Sequence, residues 1–537
     1  MPGIYWVEAL ELAMQLPGIR ALGFLLIAAT TIPTSYAQSE SMSDAQWSAD
    51  LQQLSASIKE LHFKPFHVAS EAAFDAAVAE LTARIAELSD TEIIVEMAKI
   101  VATLRDGHSR LHIPRLYPEL ALPAELGHSG TPPPKLESLK FIQSPVRFGL
   151  FEDGLFVVGS TADYRHLVGQ QVLRIDDTPA ERAVAMTELV SFFENSWRAK
   201  LMAPDRLALP EVTEALGISH AADEITLTTV DTDGRQSTTS LESLSRPGER
   251  FVSGIDTSPH WLRNKDEYRW YDVLPDRDAI YVQVNEFEEN PVSPYGDFVA
   301  ETIGAARSAN VSRYVLDLRN NFGGIGAWIT PFVTGLVNSE FNEYGRLYIL
   351  MGRNTFSASQ FLIHKFEELS YAMFVGEPSG AKPSHFGDAR RITLENSGLA
   401  LRVSTIYWHS WLANDFRDAI NPHLSVPISS SDVLGGRDPV LEAALEYDAP
   451  ATLAAWMDEQ FRQEKNQNAL LLYQRYMSDA TIENHEQAIP DLLAMADKLV
   501  DDGITRPGYF VYFIVNASYP GIRAVESGLE RIEALLE

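Results

Sequence analysis

Three short stretches of this chain combine reactive side chains with backbone that can bend sharply. In Gly352-Arg353-Asn354-Thr355-Phe356-Ser357-Ala358-Ser359-Gln360 a serine stands between an apolar run, Leu347–Met351, and the start of a helical pattern. A hydroxyl on a strand-to-helix turn can serve as a nucleophile, with the first free amides of the helix stabilising an oxyanion. The same serine could instead cap the helix, the commoner task of a serine there, and the spacing lacks the Gly-x-Ser-x-Gly of the ordinary hydrolase elbow. In Leu316-Asp317-Leu318-Arg319-Asn320-Asn321-Phe322-Gly323-Gly324 an apolar strand runs into two Asn and two Gly. Such glycines allow close backbone approach, and exposed amides there could polarise a carbonyl; a tight turn without chemistry reads the same way. In Asp106-Gly107-His108-Ser109 a histidine, able to accept a proton near neutrality, follows a helix that Gly107 is expected to end in the left-handed conformation. The chain has 13 His, and spacing alone does not say which one meets Ser357.

The elements around these stretches predict an α/β protein. Residues 44–105 read as helices, with Leu51, Leu54, Ile58 and Leu61, then Ile93, Met97, Ile100, Val101 and Leu104, at helical spacing. Pro and Gly are frequent over 112–144, which reads as a linker. Short strand patterns interrupted by a helical run (180–195) define a β-rich module over 145–267. From 268 to 449 strands and helices alternate, the grammar of an α/β core, and the two stretches around Gly323 and Ser357 fall at its strand ends, whereas His108 stands just past a helix C-terminus in the N-terminal helical part. Residues 450–537 are helical and acidic.

Composition narrows the function. The chain has 537 residues, with 43 Lys and Arg against 74 Asp and Glu and a formal charge of −31. Such a surface repels phosphate backbones, which argues against nucleic acid as a partner. With no cysteine, disulfides and thiolate metal sites are excluded, and no motif calls for a metal or organic cofactor. Ala21–Ala29 is a short apolar run after Arg20, followed by Ser35-Tyr36-Ala37. This reads as a signal peptide over 1–37 and implies a periplasmic or extracellular location. Glu8 and Glu11 stand where basic residues are usual, which a start at Met14 would remove.

Taken together and in order, the motifs resemble those of the superfamily of C-terminal processing (tail-specific) proteases, the tricorn core protease and the interphotoreceptor retinoid-binding protein. The glycine loop at Asp317–Gly324 is similar to its strand-and-glycine motif, and Thr355–Gln360 to its nucleophile segment, which usually ends in Glu. Val375–Asp388 is similar to its Gly-Glu loop, and Leu104–Ser109 to a helix-end motif of many bacterial members. The resemblance spans about Ser43–Ala444. It implies a crotonase-like (ClpP-like) catalytic core with an N-terminal helical domain, a degenerate PDZ-like module at 145–267 and a C-terminal helical extension.

It also implies residue roles. Ser357 matches the nucleophile, and Gly323, Gly324 and the amide of Ala358 match the oxyanion hole. Lys382 stands in the register of the lysine used by processing proteases, which must be desolvated to act as a base. His108 matches the histidine of the tricorn branch and is favoured because imidazole needs little tuning; His385 is a third option. Asp415 or Asp418 could hold the base. The expected activity is a serine-type peptidase acting on peptides or proteins, with substrate able to add as a strand beside the module. Two rivals stay open: a ligand carrier on the same fold and a hydrolase of small esters or amides.

Overall fold

Apolar residues at helical spacing bury one face of each of three N-terminal helices. The computed structural model describes residues 41–121, 134–288, 294–412 and 415–536; the expected signal peptide and residues 122–133 of the expected linker lie outside them. Ser43 and Ser89 cap the helices Asp44–Leu61 and Asp90–Ala102, each with a Gln or Glu three residues on that returns a bond to the cap. The second of the three in chain order, Glu71–Arg84, lies between them, so that Asp90–Ala102 is the third helix. The left-handed residue after Ala102 is Arg105 (φ 48°), which corrects the expectation for Gly107. Gly107 is required for another reason: a β-carbon there would lie 2.8 Å from the Phe356 ring.

Strand β1 (Arg110–Leu111) follows, joined antiparallel to a long hairpin of β14 (His385–Thr393) and β15 (Ala400–Trp408). The first helix fixes that hairpin, because the buried carboxylate of Asp50 accepts from the backbone N–H of Asn396 and Ser397 at 2.9 and 2.8 Å. The stretch expected as a linker packs Ile113, Tyr117, Leu139 and Phe141 inside.

The β-rich module is an antiparallel sheet of β2 (Val146–Phe151), β3 (Gly154–Ser160), β4 (Gln171–Ile175), β5 (Thr178–Pro179), β6 (Glu224–Val230), β7 (Gln236–Glu242) and β8 (Val252–Ser253). Its buried residues form one core with the N-terminal helices and with Leu394, Leu399, Leu401 and Val403 of the hairpin. The helices and the module are therefore packed into a shared interior rather than set apart.

The central sheet has the order β16-β13-β12-β11-β10-β9. Strands β10 (Ala279–Val284), β11 (Arg313–Asp317), β12 (Leu347–Met351), β13 (Met373–Gly376) and β16 (Leu424–Ser425) are parallel, and β9 (Arg269–Leu274) is antiparallel at the edge. Continuous apolar runs make these strands, as expected where both faces are covered. Alternation divides them between two cores. Val282, Leu316, Ile349 and Phe374 meet the helices Tyr295–Ala309, Thr330–Val337 and Ala358–Leu369 on one face. Tyr281, Val315, Tyr348 and Val375 meet the helix Pro439–Glu446 and the helices of 453–536 on the other. The C-terminal helices are thus half of the sheet's covering. Among the described residues no helix is long and apolar enough to cross a membrane.

Candidate active site

Loops at the carboxyl ends of β11 and β12 meet the loop after the third helix. After Met351 the chain turns through Ser357 into the helix Ala358–Leu369. Ser357 has φ 54° and ψ −120° and makes no side-chain capping bond, so the capping role left open by the spacing is not filled. A non-glycine residue in that region costs about 1–3 kcal/mol and persists only where its surroundings hold it. Here Thr355 Oγ1 donates to Leu318 O at 3.0 Å and accepts from Gly352 N at 3.0 Å. Ser359 Oγ accepts from Phe356 N at 2.8 Å and lies 2.7 Å from Asn321 O. Both anchors tie the turn to the glycine loop of β11.

That loop is held in turn by buried charge. Arg319 bridges Asp317 (3.0 Å) and Asp438 (2.7 Å). Burial alone would raise the Asp438 carboxyl, but the Arg319 charge and bonds outweigh it and hold the carboxyl below its ordinary value. Asn321, fully buried, donates to Val284 O at 3.0 Å and accepts from Gly323 N at 2.8 Å. Gly323 and Gly324 have φ of 120° and 128°, and a β-carbon on Gly324 would lie 2.3 Å from Phe287 O. Of the three expected oxyanion donors, Gly323 N–H is therefore occupied by Asn321, a correction to its expected role. The N–H groups of Gly324 and Ala358 have no acceptor among the described residues.

His108 Nε2 lies 3.0 Å from Ser357 Oγ. The ring rests on Phe356, centroids 4.4 Å apart, and runs parallel to His385 at 5.9 Å. Its backbone N–H donates to Asp106 Oδ1 at 2.8 Å, and Ser404 N donates to Ser109 Oγ at 2.9 Å, so β15 and Asp106 together fix the loop. Burial holds His108 well below the ordinary imidazole value; Asp106 opposes this, while His385, Arg110 and Arg198 add to it. Asp106 is buried, which alone would raise its carboxyl. The hydrogen bond from His62 (3.2 Å), the charges of His108 and His62, and the Ser109 hydroxyl outweigh burial and hold it below the carboxylate range.

The other expected residues sit elsewhere. The Lys382 side chain is 45% exposed and its ammonium is 3.5 Å from Asp418, so it lacks the desolvation a lysine base needs. Asp418 is 58% exposed on the far side of that pair. Asp415 is buried against Arg417 and Ser410 and is not in contact with His108. His385 Nδ1–H donates to Lys382 O at 3.2 Å, and burial lowers its imidazole to about 4. It stacks on His108 without reaching Ser357.

Glu194 was not singled out by the sequence. It lies in the module, before Asn195, which caps the helix Ser196–Leu207 and donates to Ser379 O and Asp418 O at 2.9 and 3.0 Å. Its Oε1 accepts from Gly107 N and Phe386 N at 3.3 Å each. A single carboxylate in the apolar run Val190-Ser191-Phe192-Phe193-Glu194 is the signal that could have found it, because buried acids need partners. One ligand atom from each of Asp106, His108 and Glu194 lies within 4.8 Å of the others, the only such group among the described residues. With Asp106 already bonded to His62, Ser109 and the His108 amide, the trio has the chemistry of a supported imidazole more than of an open cation site.

Beside these loops, Phe148, Leu150, Trp261, Lys265, Asn320 and Arg353 line part of a cleft of about 610 Å³ between module and sheet. Asn320 and Phe322 of the glycine loop and Gly352–Asn354 of the nucleophile turn reach it; Ser357 and His108 do not.

No family model and no curated relative matches the chain. Among solved structures, mature CPAF complexed with lactacystin superposes with a TM-score of 0.50 at 12% identity, covering 80% of this chain and 99% of that one. The photosystem II D1 C-terminal processing protease is similar at a TM-score of 0.33 and 14% identity, covering 73% and 97%. The tricorn protease is similar at 0.29 and 11%, covering 75% and 36%. What this chain shares with mature CPAF is a mixed α/β fold of helices and several sheets.

Proposed function

We propose that this chain is a serine-type peptidase acting through Ser357, and that the N-terminal segment exports it. The observation that carries the reading is the 3.0 Å approach of His108 Nε2 to a hydroxyl held in strained backbone at a helix start. A neutral imidazole takes the Ser357 proton as Oγ bonds the substrate carbonyl carbon. The oxyanion is met by the N–H groups of Gly324 and Ala358, helped by the positive end of the helix Ala358–Leu369. The imidazolium returns the proton to the leaving amine, and water, activated by the same histidine, releases the acyl group. The ionised Asp106 favours the imidazolium along the way. The cleft of about 610 Å³ beside the glycine loop, reached by Asn320, Phe322 and Gly352–Asn354, is the candidate seat for substrate groups next to the scissile bond.

Hydrolysis of a mixed peptide panel and of p-nitrophenyl esters by wild type and Ser357→Ala tests the reading. Cleavage of peptides that disappears in the variant supports it. Ester hydrolysis without peptide cleavage supports the small-ester rival, and neither activity in folded protein supports a carrier.

A further inference from the structure

Among the described residues, Nδ1 of His108 and Oε2 of Glu194, both buried beside the reacting pair, have no hydrogen-bond partner. A ring nitrogen of His108 and a carboxylate oxygen of Glu194 lie within 4.8 Å of one another, and Nε2 is already taken up by Ser357. Two hydrogen bonds of about 2.8 Å meeting at one water span such a gap, and catalytic hydrogen bonds often shorten once substrate is bound. We infer that Glu194 is the positioning acid of this site: its Oε2 accepts the Nδ1 proton of His108, directly or through one water, and so keeps Nε2 free to receive the Ser357 proton. The inference rests on the peptidase reading above.

The hydrogen bonds of Glu194 give it a direction. Oε1 is taken up by the N–H groups of Gly107 and Phe386. That oxygen can only accept, so whatever Oε2 is decides what Nδ1 meets. An ionised carboxylate presents an acceptor to Nδ1–H, leaving Nε2 bare. A protonated acid presents O–H, which places the imidazole proton on Nε2 and removes the base. No proton needs to pass to Glu194 during turnover; the Ser357 proton goes to Nε2 and leaves from Nε2. The titratable groups facing Glu194 are Asp106 and His108 from the loop after the third helix and Tyr407 from β15. Asp415 and Asp418, the acids expected for this task, are committed elsewhere.

Glutamine at this position makes the test. The two backbone donors, Gly107 N–H and Phe386 N–H, require its carbonyl where Oε1 now sits, so its NH₂ must point at Nδ1 and impose the wrong tautomer. Glu194→Gln is expected to lower kcat on the order of 10²- to 10⁴-fold, as tautomer loss does elsewhere, with KM little changed. Glu194→Ala, which removes the misdirected donor and admits water, is expected to retain more activity than Glu194→Gln. The ¹⁵N shifts of His108 should report the proton on Nδ1 in wild type and on Nε2 in the Gln variant, a readout independent of turnover and of any loss of folding seen by circular dichroism. A Gln variant that turns over like wild type, or an Ala variant weaker than Gln with an unchanged tautomer, overturns the inference. Failure of the peptidase reading is seen separately, as wild-type Ser357 that no fluorophosphonate labels.

Discussion

A β-carbon placed on Gly323 would lie 2.6 Å from Ser357 Cβ and 3.0 Å from Ala358 N. The glycine loop and the nucleophile turn are therefore in contact, and glycine is the residue that lets them be. Gly323→Ala must both displace the turn and hold alanine at a φ of 120°. It is expected to lower thermal stability by about 1–3 kcal/mol and kcat by on the order of 10²-fold, the cost of misplacing one oxyanion donor. Calorimetry and peptide hydrolysis on the same preparation check both.

The strain at Ser357 predicts a trade between stability and activity. Ser357→Gly relieves the positive φ of 54°, against the entropic cost of glycine of about 0.5–1 kcal/mol. The variant should melt no lower than Ser357→Ala, and above it if strain dominates, while both are inactive. A glycine variant that melts well below the alanine variant would show that the turn is not strained.

The choice of base is tested by comparing two substitutions. Lys382→Ala removes an exposed side chain paired with Asp418 and leaves the Lys382 amide in place; activity should stay within about threefold of wild type. His108→Ala should cost on the order of 10³-fold or more in kcat, as removal of a general base does. The reverse ranking would assign the base to lysine.

The pH profile follows from Glu194 and His108 together. Burial, then the charge of Asp106, holds the Glu194 carboxyl well above its ordinary value, whereas burial keeps His108 neutral. Activity should then rise with pH as Glu194 ionises, and in Glu194→Ala the acid limb of kcat/KM should move to lower pH. Stability runs the other way. A carboxyl whose folded-state pKa is raised favours the fold while protonated, and that contribution is lost as pH rises from the unfolded to the folded value. Glu194→Gln should therefore melt above wild type at about pH 8 and near it at about pH 5, which calorimetry at both values reads.

Much of the frame was legible because local patterns and the final packing agree. Strands β2, β3 and β15 and the buried runs of β10 to β12 follow continuous or alternating apolar residues, and the start of the helix at Ala358 follows the glycine and polar turn before it. The meeting of Ser357 with His108 was an expectation from motif order, since 249 residues separate them and no spacing rule spans that distance. Glu194 was not legible: it comes from a module that reads as a separate body, and only the shared core with the N-terminal helices brings it to Gly107. Gly323 and Gly107 were recognised as special for partly the wrong reason. One gives space to Ser357 while its N–H goes to Asn321, and the other gives space to Phe356 while Arg105 makes the left-handed turn. Such contacts depend on which loops face each other, which sequence alone does not encode locally.

The central claim is that the Ser357 hydroxyl is activated by His108. It is tested most directly by treating folded wild type and His108→Ala with a serine-reactive fluorophosphonate and mapping the adduct by mass spectrometry. Rapid, single labelling of Ser357 in wild type, slowed on the order of 10²-fold or more without His108, is the expected result. Wild type left unlabelled at Ser357, or labelled equally fast in both proteins, contradicts the account.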